Sequence, residues 1–367
     1  MKYYKDSDYI DCKDIDDSDI HLIVKRDATI DIESKSIDTL YIDGNSNALD
    51  IHLTNTNIDT LYIKDCDISK LNIDIHNISF IKLKNISCGV VDLRGYVDDI
   101  DIKSSKIDNL NIFGFKSNLV IKDGIYKNIK IENFGSFLDI VGEIDNISLD
   151  RCISDTSIFH CKNSKKERAT IDKLNVDFVK SCMLDGVDIK NFNINKCDVL
   201  VLNDSKVDKI PKHTILTTHI HRCNDFNFSI LSNRKINHLK ISCIEQDEIG
   251  ISGIYTYYTL IDDVKCNKLS IIDSIDILNT LYIYNSDINY IYADLSDDID
   301  IKVKDSNIDV IDSINLLLKI DNIKYVESFI EYIKKIYHSV DDKKKYSILK
   351  DINKVKKIYS DIDIVGL

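Results

Sequence analysis

The chain has 367 residues, 44 % hydrophobic and 30 % charged, with a formal net charge of −13, one proline, ten cysteines and no tryptophan. The apolar fraction suffices for a core, and the negative balance argues against an ordinary phosphate-binding surface, so no direct nucleic-acid binding is expected. The start MKYYKDSDYIDCKDIDDSDIHLIV puts charges where a signal peptide needs an apolar run. No stretch of about 18 apolar residues follows, and the scattered cysteines form no CxxC pair, so the expectation is a soluble, cytoplasmic protein with reduced thiols and no membrane association.

From the N-terminus the isoleucines keep a five-residue beat. Ile10, Ile15 and Ile20 begin it, and Ile58, Ile63, Ile68, Ile73, Ile78 and Leu83 carry it on. After a slip it resumes at Val97, Ile102, Ile107 and Ile112, and it returns at Leu278, Ile283, Ile288 and Ala293. Leu61, Leu71, Ile81 and Val91 stand two residues before alternate beats. Side chains two apart in an extended segment point the same way, so each pair is a short strand with one buried face. The local signature is I-x-x-L-x-I, as in IDTLYI at 37–42 and 58–63, with ISKLNI, IDNLNI and LNTLYI elsewhere. Asp, Asn, Ser and Gly, the residues that turn a backbone tolerantly, lie between the strands.

A turn every five residues, with an inward side chain each time, predicts a square coil of about 20 residues whose neighbours stack into a parallel β-helix. The run NIDTL-YIKDC-DISKL-NIDIH-NISFI resembles the pentapeptide-repeat family, with Asn57, Asp67, Asn72 and Asn77 just before their central isoleucines. That resemblance implies a right-handed quadrilateral β-helix. It departs from the family in placing Leu or Ile where a small residue is usual, so a flatter, leucine-rich-repeat-like coil is the alternative. The expected fold is an all-β solenoid over residues 1–320, irregular near 150–170 and 203–235.

Residues 150–170 lose the beat, carry Lys165, Lys166 and Arg168, and read as an inserted loop. Cys152, His160 and Cys161 in it could pair a thiol with a base, but no oxyanion hole or orienting partner is nearby, so catalysis is not expected. The next irregular stretch holds the single proline, Pro211. In THIHRC, His219, His221 and Cys223 alternate along a strand and could share a zinc ion, with His213 as a fourth ligand; solvent-facing histidines around a buried Ile220 are the blander reading. Tyr282, Tyr284, Tyr290 and Tyr292 form a candidate partner-binding strip if they face outward from adjacent strands.

After about Asp321 the spacing turns helical, through Val326, Phe329, Ile333 and Ile336, then Ile348, Ile352, Val355 and Tyr359, with Asp341 and Asp342 at the turn. Residues 321–367 are predicted to be a two-helix cap on the open end of the solenoid, and dimerisation through 324–360 is a separate expectation. Paired carboxylates such as Asp98 with Asp99 and Asp297 with Asp298 recur with the repeat and read as a solvated face. No phosphate loop, HExxH, GxSxG or EF-hand pattern occurs, so no cofactor is expected.

The leading expectation is a non-enzymatic, acidic binding protein with a protein partner. The family resemblance implies a sharper form, a mimic of duplex DNA that occupies a DNA-handling or defence enzyme. A viral, phage or host-interaction protein reading its partner through one solenoid face is the alternative, and a carbohydrate-active β-helix enzyme the third reading.

Overall fold

A computed structural model of the chain describes residues 2–12, 17–33, 36–54, 56–74, 78–114, 118–133, 137–152, 158–165, 167–210, 212–272, 278–295, 299–320, 323–337, 340 and 342–358. Ile15, Asn77, Lys166, Pro211, Asp297, Asp298, Asp341 and Tyr359 lie outside these residues, as do the side chains of Cys152 and His160. The protein is an all-parallel β-solenoid of about 13 coils, with successive coils about 20 residues apart and a small helical C-terminus.

It forms two compact units, Met1–Pro211 and Lys212–Leu367. In the first, the strand Asn57–Asp74 buries Ile58, Leu61, Ile63, Cys66, Ile68, Leu71 and Ile73. Inward side chains therefore follow at alternating spacings of three and two: each pair two apart is one extended side, and the extra residue between pairs is the corner. The next strand, Ile78–Gly95, sets like upon like, with Leu61 opposite Ile81, Ile63 opposite Leu83 and Leu71 opposite Val91. Each such side chain leaves water on both edges only because a coil lies above and below it, a gain of about 1.5–3 kcal/mol per buried aliphatic.

The alternate fives also carry an inward residue two before their centre, which the pattern of large aliphatics did not reveal. Cys66, Ile86 and Ser105 occupy it, all buried. The residue before each takes a left-handed backbone, as at Asp65, Asn85 and Ser104, with φ of 52°, 53° and 49°. Asn and Asp tolerate that conformation better than other non-glycine residues. The beat of five thus survives because one corner per coil is written in residues that can make a left-handed turn.

Serine at this corner closes a hydrogen-bond ladder. The Ser105 hydroxyl donates to the Lys103 carbonyl at 2.8 Å and accepts the Ile86 N–H of the coil before at 3.3 Å. Ser205 repeats the arrangement with Asn203 and Val187. Outside the core, Asn128 donates to Asn109 at 3.0 Å and Asn146 donates to Asn128 at 3.2 Å, a column of amides that ties successive coils. Within 150–170, Ile158–Asn163 is a strand in parallel register with Leu138–Gly142 before it and Ser181–Asp185 after it. Arg168 fastens the following turn, reaching Asp188 at 3.2 Å and Asp204 at 2.9 Å.

In the second unit the same corner recurs at Cys243, Asp263, Asn285 and Asp305, all with φ between 50° and 54°. One segment departs from the coil pattern: a 3-10 turn at Phe228–Leu231, entered through Asn227, buries Phe226, Phe228 and Leu231 in place of strand aliphatics. Its Phe226 and Phe228 rings meet edge to face at 5.0 Å. The C-terminal helices are α1 (Ile314–Ile320), α2 (Ile323–Ile336) and α3 (Asp342–Ile358). The short α1 precedes the two that the spacing predicts. Leu316, Leu317, Val326, Phe329 and Ile333 are buried beside the last coil, and the Tyr325 hydroxyl donates to the Ser306 carbonyl at 3.1 Å. Ile348, Ile352 and Val355 form the buried stripe of α3.

Candidate interaction face

Parallel in-register stacking turns each outward position into a column of side chains, so the chemistry of a face can be read down the register. In the second unit, His219, Lys240, Leu260, Tyr282 and Lys302 form one such column, and Thr217, His238, Tyr258, Thr280 and Asp300 the column beside it. They face outward because their neighbours Ile220, Leu239, Ile241, Ile261, Leu281 and Ile283 fill the core.

The rings on this face touch. His238 and Tyr258 lie 5.8 Å apart, Tyr258 meets Tyr282 edge to face at 5.5 Å, and Tyr282 stacks on Tyr284 at 5.6 Å. The Lys302 ammonium covers the Tyr282 ring at 4.9 Å and donates to its hydroxyl at 3.1 Å, while that hydroxyl donates to Asp300 at 3.3 Å. With Tyr284 stacked on it and an ammonium over it, the Tyr282 ring is held in place. Tyr257 and Leu216, on the same side of the coil, are 53 % and 48 % exposed. Burial raises the Tyr258 phenol above its ordinary range.

The tyrosines of the candidate strip divide into two pairs. Tyr282 and Tyr284 belong to the strand Thr280–Tyr284, whereas Tyr290 and Tyr292 follow the left-handed corner at Asn285 and belong to Asp287–Asp294, the next side of the coil. Tyr290 is turned to structural use: its hydroxyl donates to Asp312 and stands 3.4 Å from that of Tyr332 in α2. Tyr292 is 38 % exposed.

The HxHxC cluster is likewise divided. His219 Nε2 and His221 Nδ1 converge on the Ser242 hydroxyl at 2.7 and 3.0 Å. A hydroxyl has one proton and two lone pairs, so at most one ring nitrogen accepts from it and at least one donates to it. Burial, then Lys240 and His221, hold His219 down at about 4, which keeps it neutral at ordinary pH. Cys223 points into the core, fully buried, with its thiol donating to the His221 carbonyl, and His213 is half-buried. Among the described residues no group of three or more His, Cys, Asp or Glu side chains could hold a metal ion.

Cys161 is fully buried and its thiol is pushed up to about 12 by desolvation, as are Cys66 and Cys197. A thiol held protonated in an apolar core is no nucleophile. Asp98 and Asp99 are both exposed, and Asp99 accepts from the Asn118 amide at 2.8 Å.

The first unit carries an aromatic column that the sequence reading did not single out. His21, Tyr41, Tyr62 and Lys82 are in register, with ring separations of 4.1 Å from His21 to Tyr41 and 4.5 Å from Tyr41 to Tyr62, and the Lys82 ammonium lies 5.4 Å from the Tyr62 ring. Its signal was the repeated IDTLYI, where Tyr fills the outward slot between Leu and Ile.

No protein-family model matches this chain, and no curated protein or solved structure matches it.

Proposed function

We propose that the chain is a non-enzymatic binding solenoid of the pentapeptide-repeat type, and that it takes a protein partner on the aromatic face of its second unit. The cluster of His238, Tyr258, Tyr282 and Tyr284 beside the exposed Tyr257 and Leu216 carries this reading. Aromatic side chains give large contact area at low entropic cost and dominate interface energetics, and a held cluster pays less to bind than a loose one. The alternation of three and two between inward residues supports the repeat type.

The duplex-mimic reading draws less support. It needs a row of carboxylates free of counter-charge, whereas Asp43, Asp101, Asp139 and Asp185 each stand against a lysine. Asp65, Asp92 and Asp247 each accept from an asparagine amide one coil away.

The test is affinity capture with three forms of the full chain: wild type, a Leu216→Ser/Tyr257→Ser variant and, as a control on another side, Glu248→Ser. A partner retained by wild type and Glu248→Ser but lost from the double variant supports the face. An identical bound set for all three removes it.

A further inference from the structure

One groove of the first unit gathers carboxylates from successive coils. Asp27, Asp50 and Asp67 line it together with Ala48, Gly89 and Asp8, the last of which pairs with Arg26 at 3.0 Å. Asp27 accepts the Ala48 N–H at 2.8 Å, Asp50 meets only His52 at 3.3 Å, and among the described residues no lysine or arginine forms an ion pair with any of the three. Side chains as short as Ala48 and Gly89 leave this acidic groove open.

The second unit carries a surface of opposite sign. Residues 342–358, the span of α3, hold seven Lys and two Asp, a net of 7 − 2 = +5 in a chain whose total is −13. With Ile348, Ile352 and Val355 turned inward, Tyr346 is left 75 % exposed and Leu349 40 %, and Lys350 and Lys357 are exposed. Positions 346, 349, 350, 353 and 357 share one side of a helix, so an exposed apolar patch continues directly into lysines.

We infer that these two surfaces meet between two copies of the chain, α3 of one copy lying along the acidic groove of the other. Lys350 and Lys357 face the carboxylates of the groove, Asp50 and Asp67 among them, and Tyr346 with Leu349 lies against its small side chains. Charge of opposite sign on the two surfaces, with apolar contact between, is what selects a second copy over a neutral partner. The contact is independent of the aromatic face and of any partner bound there.

Sedimentation velocity of the full chain tests it. Wild type is expected to associate at low salt and to separate at about 1 M salt, where screening acts over about 3 Å. Lys350→Glu/Lys357→Glu and Asp50→Lys/Asp67→Lys should each lose self-association, and mixing the two charge-reversed proteins should restore it as a one-to-one pair. Far-UV circular dichroism like that of wild type shows that each variant is folded; should a reversal unfold the chain, Tyr346→Ser must give the same loss. A wild type that is monomeric at every salt concentration overturns the inference. So does association that survives both reversals, or variants that stay apart when mixed. Binding of a DNA duplex or of anionic vesicles that needs Lys350 and Lys357 but not Asp50 and Asp67, without self-association, assigns α3 to a polyanion and overturns it as well.

Discussion

The ring of Tyr126 lies over the backbone of Gly124, so that a Cβ added at Gly124 would stand 2.3 Å from the Tyr126 hydroxyl and 2.5 Å from the Ser105 carbonyl oxygen. Tyr126 is fully buried where other coils carry Ile or Leu, and its hydroxyl has no hydrogen-bond partner among the described residues. The larger ring fits because Gly124 and Gly142 vacate the space beside it. Gly124→Ala must push against a backbone carbonyl and is expected to cost at least about 1–3 kcal/mol, the usual range for overpacking. Tyr126→Phe, which removes an unsatisfied buried hydroxyl, should be neutral or stabilising. Equilibrium urea unfolding of the two variants checks both signs.

The coil was legible because it obeys one rule along the chain: an aliphatic must point inward every five residues, and Ile or Leu at those positions is visible without a structure. Ser105 shows what stayed hidden. It fills an inward position by satisfying two backbone groups instead of by being apolar, and a hydrophobic pattern skips it. Tyr290 shows the limit for surfaces. Its spacing from Tyr282 suggested one strip, but the left-handed turn at Asn285 sends it to another side, and only backbone dihedrals carry that fact. Cys223 failed as a zinc ligand for a related reason: the corner between it and His221 exchanges outside for inside.

The corner serines are expected to hold coils together measurably. Ser286 donates to the Tyr284 carbonyl at 2.7 Å and accepts the buried Val264 N–H at 3.2 Å. Ser286→Ala strands that N–H, at a cost of about 1–3 kcal/mol. Hydrogen exchange should show the Val264 amide losing protection first. Unchanged exchange at Val264 with lowered global stability would mean that the ladder is not the cause.

The histidine pair gives an acid limb to the stability profile. His219 titrates at about 4 in the folded chain against an ordinary value of 6.5, so between those pH values the unfolded chain binds a proton that the folded chain refuses. Stability from this source is complete above about 6.5 and is lost as pH falls toward 4. His219→Gln removes the titrating group, and chemical denaturation across that window should be less steep in pH than for wild type. An NMR titration placing the His219 midpoint near 6.5 would contradict the burial argument.

Tyr290 makes a polar contact that ties the last coil to the C-terminal helices. Its hydroxyl bonds Asp312 on the last strand and approaches Tyr332 on α2, while burial and Asp312 hold its phenol far above the ordinary range, so it stays a neutral donor at any working pH. Tyr290→Phe keeps the ring, which meets Tyr332 edge to face at 5.7 Å, and deletes the bond. The buried residues of α2, including Val326, Phe329 and Ile333, still anchor the helix, so the fold is expected to persist. The expected change is local: exchange across α2 rises, on the order of five- to tenfold for a hydrogen bond worth about 1–1.5 kcal/mol, while amides of the strand Asn57–Asp74 keep their protection. Equal loss in both places would show instead that the cap and the solenoid unfold as one unit.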